Sequence, residues 1–201
     1  MSGVALIDYG AGNLQSVFNA LRAAGASDIA VTAHPADVLA ARRIVLPGVG
    51  AFAHCMGALS AIPGMIDALT ESVVERGRPF LGICVGMQLM ADEGHEHGVT
   101  RGLGWIRGAV VSMPAAPGLK IPHMGWNDVV PTYAHPLIEA GEAYFLHGYA
   151  FSGSDVLATT DHGGSVVAAV GRDNLAGVQF HPEKSQAYGI ATLKRFLKWR
   201  P

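Results

Sequence analysis

The sequence predicts an α/β fold: a mostly parallel sheet with flanking helices and a β-rich second half. Three observations carry this. Short apolar runs alternate with amphipathic ones in the first half, and closely spaced apolar runs separated by turn residues fill the second. Half of the 201 residues are hydrophobic. Alternating strands and helices imply parallel units covered on both faces. A chain of this length supports one sizeable core, and residues 1–201 are read as a single domain.

Each element has its own signal. "GVALID" is a first short apolar strand, followed by the glycine turn "YGAGN". Leu14, Val17, Phe18 and Leu21 recur at helical spacing, and Gly25 can end that helix. "DIAVT" reads as a strand, "ADVLAA" as a short helix, and "RIVLPGVG" as a strand entering a Gly/Pro loop. Met65 to Arg76 is helical, and Pro79 to Ile83 is a buried strand running toward Cys84 and a further helix. After Gly98 come "GAVVSM", "EAYFLHGYAF", "DVLATT", "SVVAAV" and "LAGVQF", joined by Gly, Asn and Asp turns as hairpins. Ile190, Leu193, Phe196 and Leu197 mark a last amphipathic helix.

Composition excludes several classes. The formal net charge is −2, with no basic stripe for nucleic acid or an anionic membrane. No apolar run approaches the roughly 20 residues that span a bilayer. The "MSGVALIDYG" opening has no basic segment ahead of its apolar run, so it reads as a strand rather than a secretion signal. Two cysteines, Cys55 and Cys84, make no disulfide framework and are expected as reduced thiols. A cytoplasmic domain is the expectation.

The chemistry starts at Gly82-Ile83-Cys84-Val85-Gly86, a G-x-C-x-G where a strand turns into a helix. This is the thiol counterpart of a nucleophile elbow. Close approach of chain at such a turn demands glycine two residues before and after the nucleophile. The turn frees the Val85 N–H for an oxyanion, and a helix N-terminus favours thiolate. Those five residues alone fit equally well a small buried thiol whose glycines let helix and strand pack.

A nucleophile needs a base, and the base an orienting group. In "GVQFHPEKS", Pro182 pushes His181 to an extended backbone. Residues i and i+2 of an extended chain face one side, roughly 6–7 Å apart, so Glu183 can reach back to one imidazole nitrogen. Alone, this tripeptide is equally an ordinary loop. Cys84 and His181 each end a predicted strand, where ligands of open α/β sheets gather, and together they favour the catalytic reading. "LPGVGAF" ends a third strand. Gly48 and Gly50 free the backbone of Val49 to bring a second N–H to an oxyanion.

"LPGVGAF", "FLGICVGMQLM" and "GVQFHPEKS", in this order and spacing, resemble the class I glutamine amidotransferases, a flavodoxin-like family. "IDYGAGNLQSV", "IPHMGWN" and "YFLHGYAF" resemble one branch of it, whose members hand ammonia to a (β/α)8-barrel cyclase subunit. The resemblance implies glutamine as substrate, Cys84 as nucleophile, His181 as general base and acid, and Glu183 as its orienting partner. It implies Val49 and Val85 as oxyanion donors, Gly50 and Gln88 near bound glutamine, and Asn13, Trp126 and Lys184 facing the barrel in a heterodimer. It implies no metal and no organic cofactor. "HGYAF" departs from the family's more frequent serine after the histidine.

The remaining polar clusters read blandly. "DEGHEHG", Asp92 to Gly98, lacks the spacing of a helical zinc pair and reads as a solvated loop. "DYGAGN" is only a partial phosphate-loop match. His123 and His147 need no special role, and Cys55 reads as helix packing. A different branch of the same family, or a subunit that kept the fold and lost the chemistry, are the competing functions.

Overall fold

The computed structural model describes residues 3–113 and 118–201; Met1 and Ser2, which begin the opening stretch, lie outside it. In chain order, β1 (Val4–Ile7), α1 (Leu14–Ala23), β2 (Ile29–Thr32), α2 (Pro35–Ala40), β3 (Arg43–Gly48), α3 (Phe52–Ser60) and α4 (Met65–Thr70) come first. A π-helical turn, Glu71–Glu75, prolongs α4. Then follow β4 (Phe80–Cys84), α5 (Val85–Gln88), β5 (Ala91–Gly94), β6 (Thr100–Arg101), β7 (Ile106–Ser112), β8 (His123–Pro131) and β9 (Gly141–His147). The chain ends with β10 (Tyr149–Gly153), β11 (Val156–Asp161), β12 (Ser165–Arg172), β13 (Leu175–Val178), a 3-10 turn at Pro182–Lys184, and α6 (Gln186–Lys198).

Nine strands form one sheet in the order β2-β1-β3-β4-β13-β12-β11-β8-β9. The β2-β1-β3-β4-β13 portion is parallel, and everything beyond β13 is antiparallel. The β-rich second half therefore makes the sheet mixed. A smaller sheet, β10-β7-β5-β6, stands apart from it. All residues of β1, β4 and β13 are buried, as parallel strands covered on both faces must be. α1 packs on α6 and α2 on α4, and one apolar cluster runs from Val4 through Phe145 and Phe180 to Trp199.

Register positions the site. Gly48 of β3 pairs with Cys84 of β4, and Ile83 pairs with Val178 of β13. The carboxyl ends of three adjacent strands thus release Val49, Cys84 and the Gln179–Glu183 segment side by side. The His181 N–H then bonds the Tyr144 carbonyl at 2.9 Å, bringing β9 to the same edge.

Two elements differ from expectation. The helix after Cys84 is a single turn of four residues, ended because the chain dives into β5. Asp92 to Gly94, the start of the expected solvated loop, belongs to β5, which pairs with β6 and β7. Among the described residues no single helix is long and apolar enough to cross a membrane.

Candidate active site

Cys84 stands at the turn from β4 into α5 with φ 53° and ψ −113°, a combination closed to most side-chain-bearing residues. Such backbone strain costs of order 1–3 kcal/mol and concentrates at functional sites. Both flanking glycines are required sterically, for different neighbours. A Cβ on Gly82 would run into the Gly86 carbonyl and Met87, and one on Gly86 would run into the Leu46 carbonyl of β3. The elbow is wedged against the adjacent strand as much as against itself. Val85 opens α5, so its N–H has no acceptor within that helix.

His181 is buried beside the thiol. Its Nδ1 meets Glu183 Oε1 at 2.8 Å, with both side chains almost wholly out of solvent. Glu183 Oε2 has no partner among the described residues, so the imidazole is this carboxylate's sole recorded ion-pair partner. Burial by itself lowers the His181 pKa, but hydrogen bonding and charge from Cys84 and Glu183 overcome it and push it up to about 10. The ring is held as an imidazolium between two acidic groups.

The cleft over these groups has a volume of about 170 Å³, lined by Val49, Gly50, Cys84, Val85, Gln88 and His181 along with Glu96, Leu146 to Tyr149, and Lys184. At about 30 Å³ per water, it suits an amino-acid-sized molecule. A larger cavity of about 660 Å³ lies elsewhere, beside Arg42, Arg43 and Arg200, and neither cysteine nor histidine lines it.

Several residues earned no role from the sequence. Gln179 is fully buried; its Nε2 lies 3.7 Å from Cys84 Sγ, and its Oε1 accepts from Gln88 Nε2 at 3.0 Å. The Gln88 amide also donates to the Tyr149 carbonyl at 3.1 Å. Glu96, inside "DEGHEHG", turns to the cleft and accepts the Phe52 N–H at 2.8 Å. Cys55 does more than pack: its thiol meets the Val49 carbonyl at 3.3 Å, just where the oxyanion loop was expected. His147 lines the cleft, and His123 lies buried with its Nδ1 3.0 Å from His147 Nε2. Gln179 was findable, two residues before His181 on the same face of an extended chain.

The three residues expected to face a partner divide. Trp126 is 47% exposed and meets the Tyr144 ring edge-on at 6.2 Å, while Lys184 Nζ lies 5.7 Å from the centre of the same ring. Lys184 also lines the cleft mouth. Asn13 is exposed at the start of α1 and makes no capping bond with its side chain. Among the described residues no cluster of three or more His, Cys, Asp or Glu is arranged to hold a metal.

The family model "Glutamine amidotransferase class-I" matches residues 5–199. A Zymomonas mobilis protein named imidazole glycerol phosphate synthase subunit HisH is 64% identical over all of this chain and 97% of its own. A Rhodospirillum rubrum protein of the same name is 53% identical, over 98% of this chain and 99% of its own. A solved glutamine amidotransferase superposes with a TM-score of 0.76 at 18% identity, covering 98% of both chains. PurLQS from Thermotoga maritima superposes at 0.68 and 20% identity, over 98% of this chain and 97% of the matched one. At those identities the solved structures speak for the fold alone.

Proposed function

The chain belongs to the class-I glutamine amidotransferase family, and from that premise we propose how its residues carry the reaction. It is a glutaminase subunit of imidazole glycerol phosphate synthase. It releases ammonia from glutamine and delivers it to a cyclase subunit, in histidine biosynthesis. The observation that supports the residue assignment best is the convergence of Cys84, His181 and Gln88 on one cleft, with Glu183 bonded to the far side of the His181 ring.

The Cys84 thiolate attacks the side-chain amide carbon of glutamine. The tetrahedral oxyanion is met by the backbone N–H groups of Val85 and Val49; one such donor is commonly worth about 2.7–4 kcal/mol. The His181 imidazolium gives its proton to the departing nitrogen, and ammonia leaves behind a γ-glutamyl thioester. Neutral His181 then takes a proton from water, hydroxide opens the thioester, and glutamate and the thiolate–imidazolium pair are restored. Glu183 holds the ring and stabilises its cation throughout. Gly50 and Gln88 contact the bound amino acid, and the Glu96 carboxylate offers its ammonium group a counter-charge.

Ammonia that escapes into water is protonated and lost as a nucleophile, so it must pass directly to an acceptor. A (β/α)8-barrel cyclase docked over Asn13, Trp126 and Lys184 as a heterodimer provides that path, and residues 1–201 act as a single domain beneath it. The thiols are expected to work reduced, in the cytoplasm.

The test compares glutamate release by the lone chain, by the chain with the barrel, and by both with the cyclase's nucleotide substrate. The lone chain should be slow. A Val49 N–H turned away from the oxyanion lowers turnover by about 10²–10³, and a partner that binds the productive arrangement better restores it. Equal rates in all three would remove the coupling.

A further inference from the structure

Two buried histidines and an asparagine form a chain of hydrogen bonds ending at the Tyr149 carbonyl, which the Gln88 amide shares. Asn127 Nδ2 lies 3.1 Å from His123 Nε2, and His123 Nδ1 lies 3.0 Å from His147 Nε2. His147 Nδ1 lies 2.9 Å from the Tyr149 carbonyl, which also accepts from Gln88 Nε2. The geometry points to His123 and His147 as positioning residues that hold the Tyr149 carbonyl in place, and through it the Gln88 amide, for glutamine.

The direction of every bond follows from its ends. A carbonyl only accepts, so His147 carries its proton on Nδ1 and accepts at Nε2. His123 must then donate from Nδ1 and accept at Nε2, where the asparagine amide donates. That amide also donates to the Asp161 carbonyl at 2.7 Å, so its nitrogen faces inward. At the other end, Tyr149 and Gln179 occupy both N–H groups of Gln88, leaving its Oε1 as the acceptor presented to a substrate. A reversed Gln88 amide would set its oxygen against the Tyr149 carbonyl and its donors toward the cleft.

The chain works only with both rings neutral, since a second proton on either places N–H against N–H. Burial, together with neighbouring histidines, holds both well below the ordinary range, at about 4. His123 is also fixed in plane between Phe145 and His162, with ring centres 4.8 and 4.1 Å away.

This rests on the glutaminase reading, and two substitutions test it in the complex with the cyclase. His123→Phe keeps the ring and its stacking but loses the donor. His123→Asn loses the ring but keeps an amide N–H where Nδ1 stood. The Phe variant should raise KM for glutamine about tenfold, with a smaller change in kcat, as one lost buried hydrogen bond implies, and the Asn variant should stay close to the parent. A purely structural role reverses that order, because phenylalanine preserves packing better; that order, or a Phe variant with parental KM, overturns the proposal. Nitrogen-15 NMR of the unmodified chain at neutral pH is independent of turnover and of whether any variant folds. It should find both rings neutral with the proton on Nδ1, and an Nε2–H ring or an imidazolium at either position overturns the relay. A parent complex that fails to hydrolyse glutamine would instead sink the glutaminase reading, leaving the NMR result to judge the relay.

Discussion

Glu183 and His181 share one proton relationship that a titration can expose. Although burial opposes it, contact with Cys84 and Glu183 keeps the His181 pKa raised to about 10. A raised histidine pKa adds stability that is full below the ordinary value near 6.5 and is lost as pH climbs through the folded value. The same imidazolium is the acid for departing ammonia, so the alkaline limb of kcat/KM reports it. Glu183→Gln removes one of the raising contacts. It should shift that limb to lower pH and slow turnover less than His181→Ala does; an unmoved limb would deny Glu183 its role. At this scale the sequence announced Cys84, His181 and Glu183 because each sits in a motif with its own local geometry. It did not announce Gln179, His147 or His123. Gln179 had only its spacing to His181 to mark it. The contacts that tie these residues together, Gln179 to Gln88 and Cys84 and His123 to His147, span 24 or more residues, which local spacing does not record.

The elbow is the element whose geometry sequence spacing conveyed best. Its glycines, two residues either side of the thiol, are explained by contacts with Gly86, Met87 and the Leu46 carbonyl. Gly86→Ala should therefore destabilise the protein by about 1–3 kcal/mol or more through forced strand displacement, and should abolish turnover. Denaturant unfolding and glutamate assays check both. A companion pair isolates the strain at Cys84: Cys84→Gly should be more stable than Cys84→Ala by about 1–2 kcal/mol, since only glycine occupies φ 53° freely. Equal stability would mean the backbone relaxes without the thiol. Other elements were less legible. β8 has nine residues, yet its inward side carries His123 and its outward side Met124 and Trp126. That first half of β8 inverts the apolar-in, polar-out alternation that marks a strand, although buried Val129 and exposed Asp128 further on obey it. The one-turn α5 is short because β5 must begin at Ala91 to pair with β7, a tertiary demand that helix propensity does not register.

Across the whole molecule, the parallel half was readable because buried parallel strands are continuous apolar runs, and their carboxyl ends had to hold the site. That the second half extends the same sheet through four antiparallel pairings was not, since pairing order between hairpins leaves no trace in composition. One property belongs to the whole fold. His123 and His147 are held neutral to about pH 4, whereas an unfolded chain protonates its histidines near 6.5. The unfolded state then binds more protons between those values, so these groups lower stability as pH falls from about 6.5 to 4. Thermal unfolding over that window should show a decline that His123→Phe partly removes; a variant with an unchanged acid slope would remove His123 from this account.

The central claim is that glutamine is opened through a thioester on Cys84, and acid-quenched turnover of the activated complex followed by peptide mass analysis tests it most directly. The account predicts a γ-glutamyl adduct on the peptide carrying Cys84, together with loss of glutamine hydrolysis in Cys84→Ala by a factor of about 10³ or more. An adduct on Cys55, or a Cys84→Ala complex that hydrolyses glutamine as fast as the parent, would contradict it.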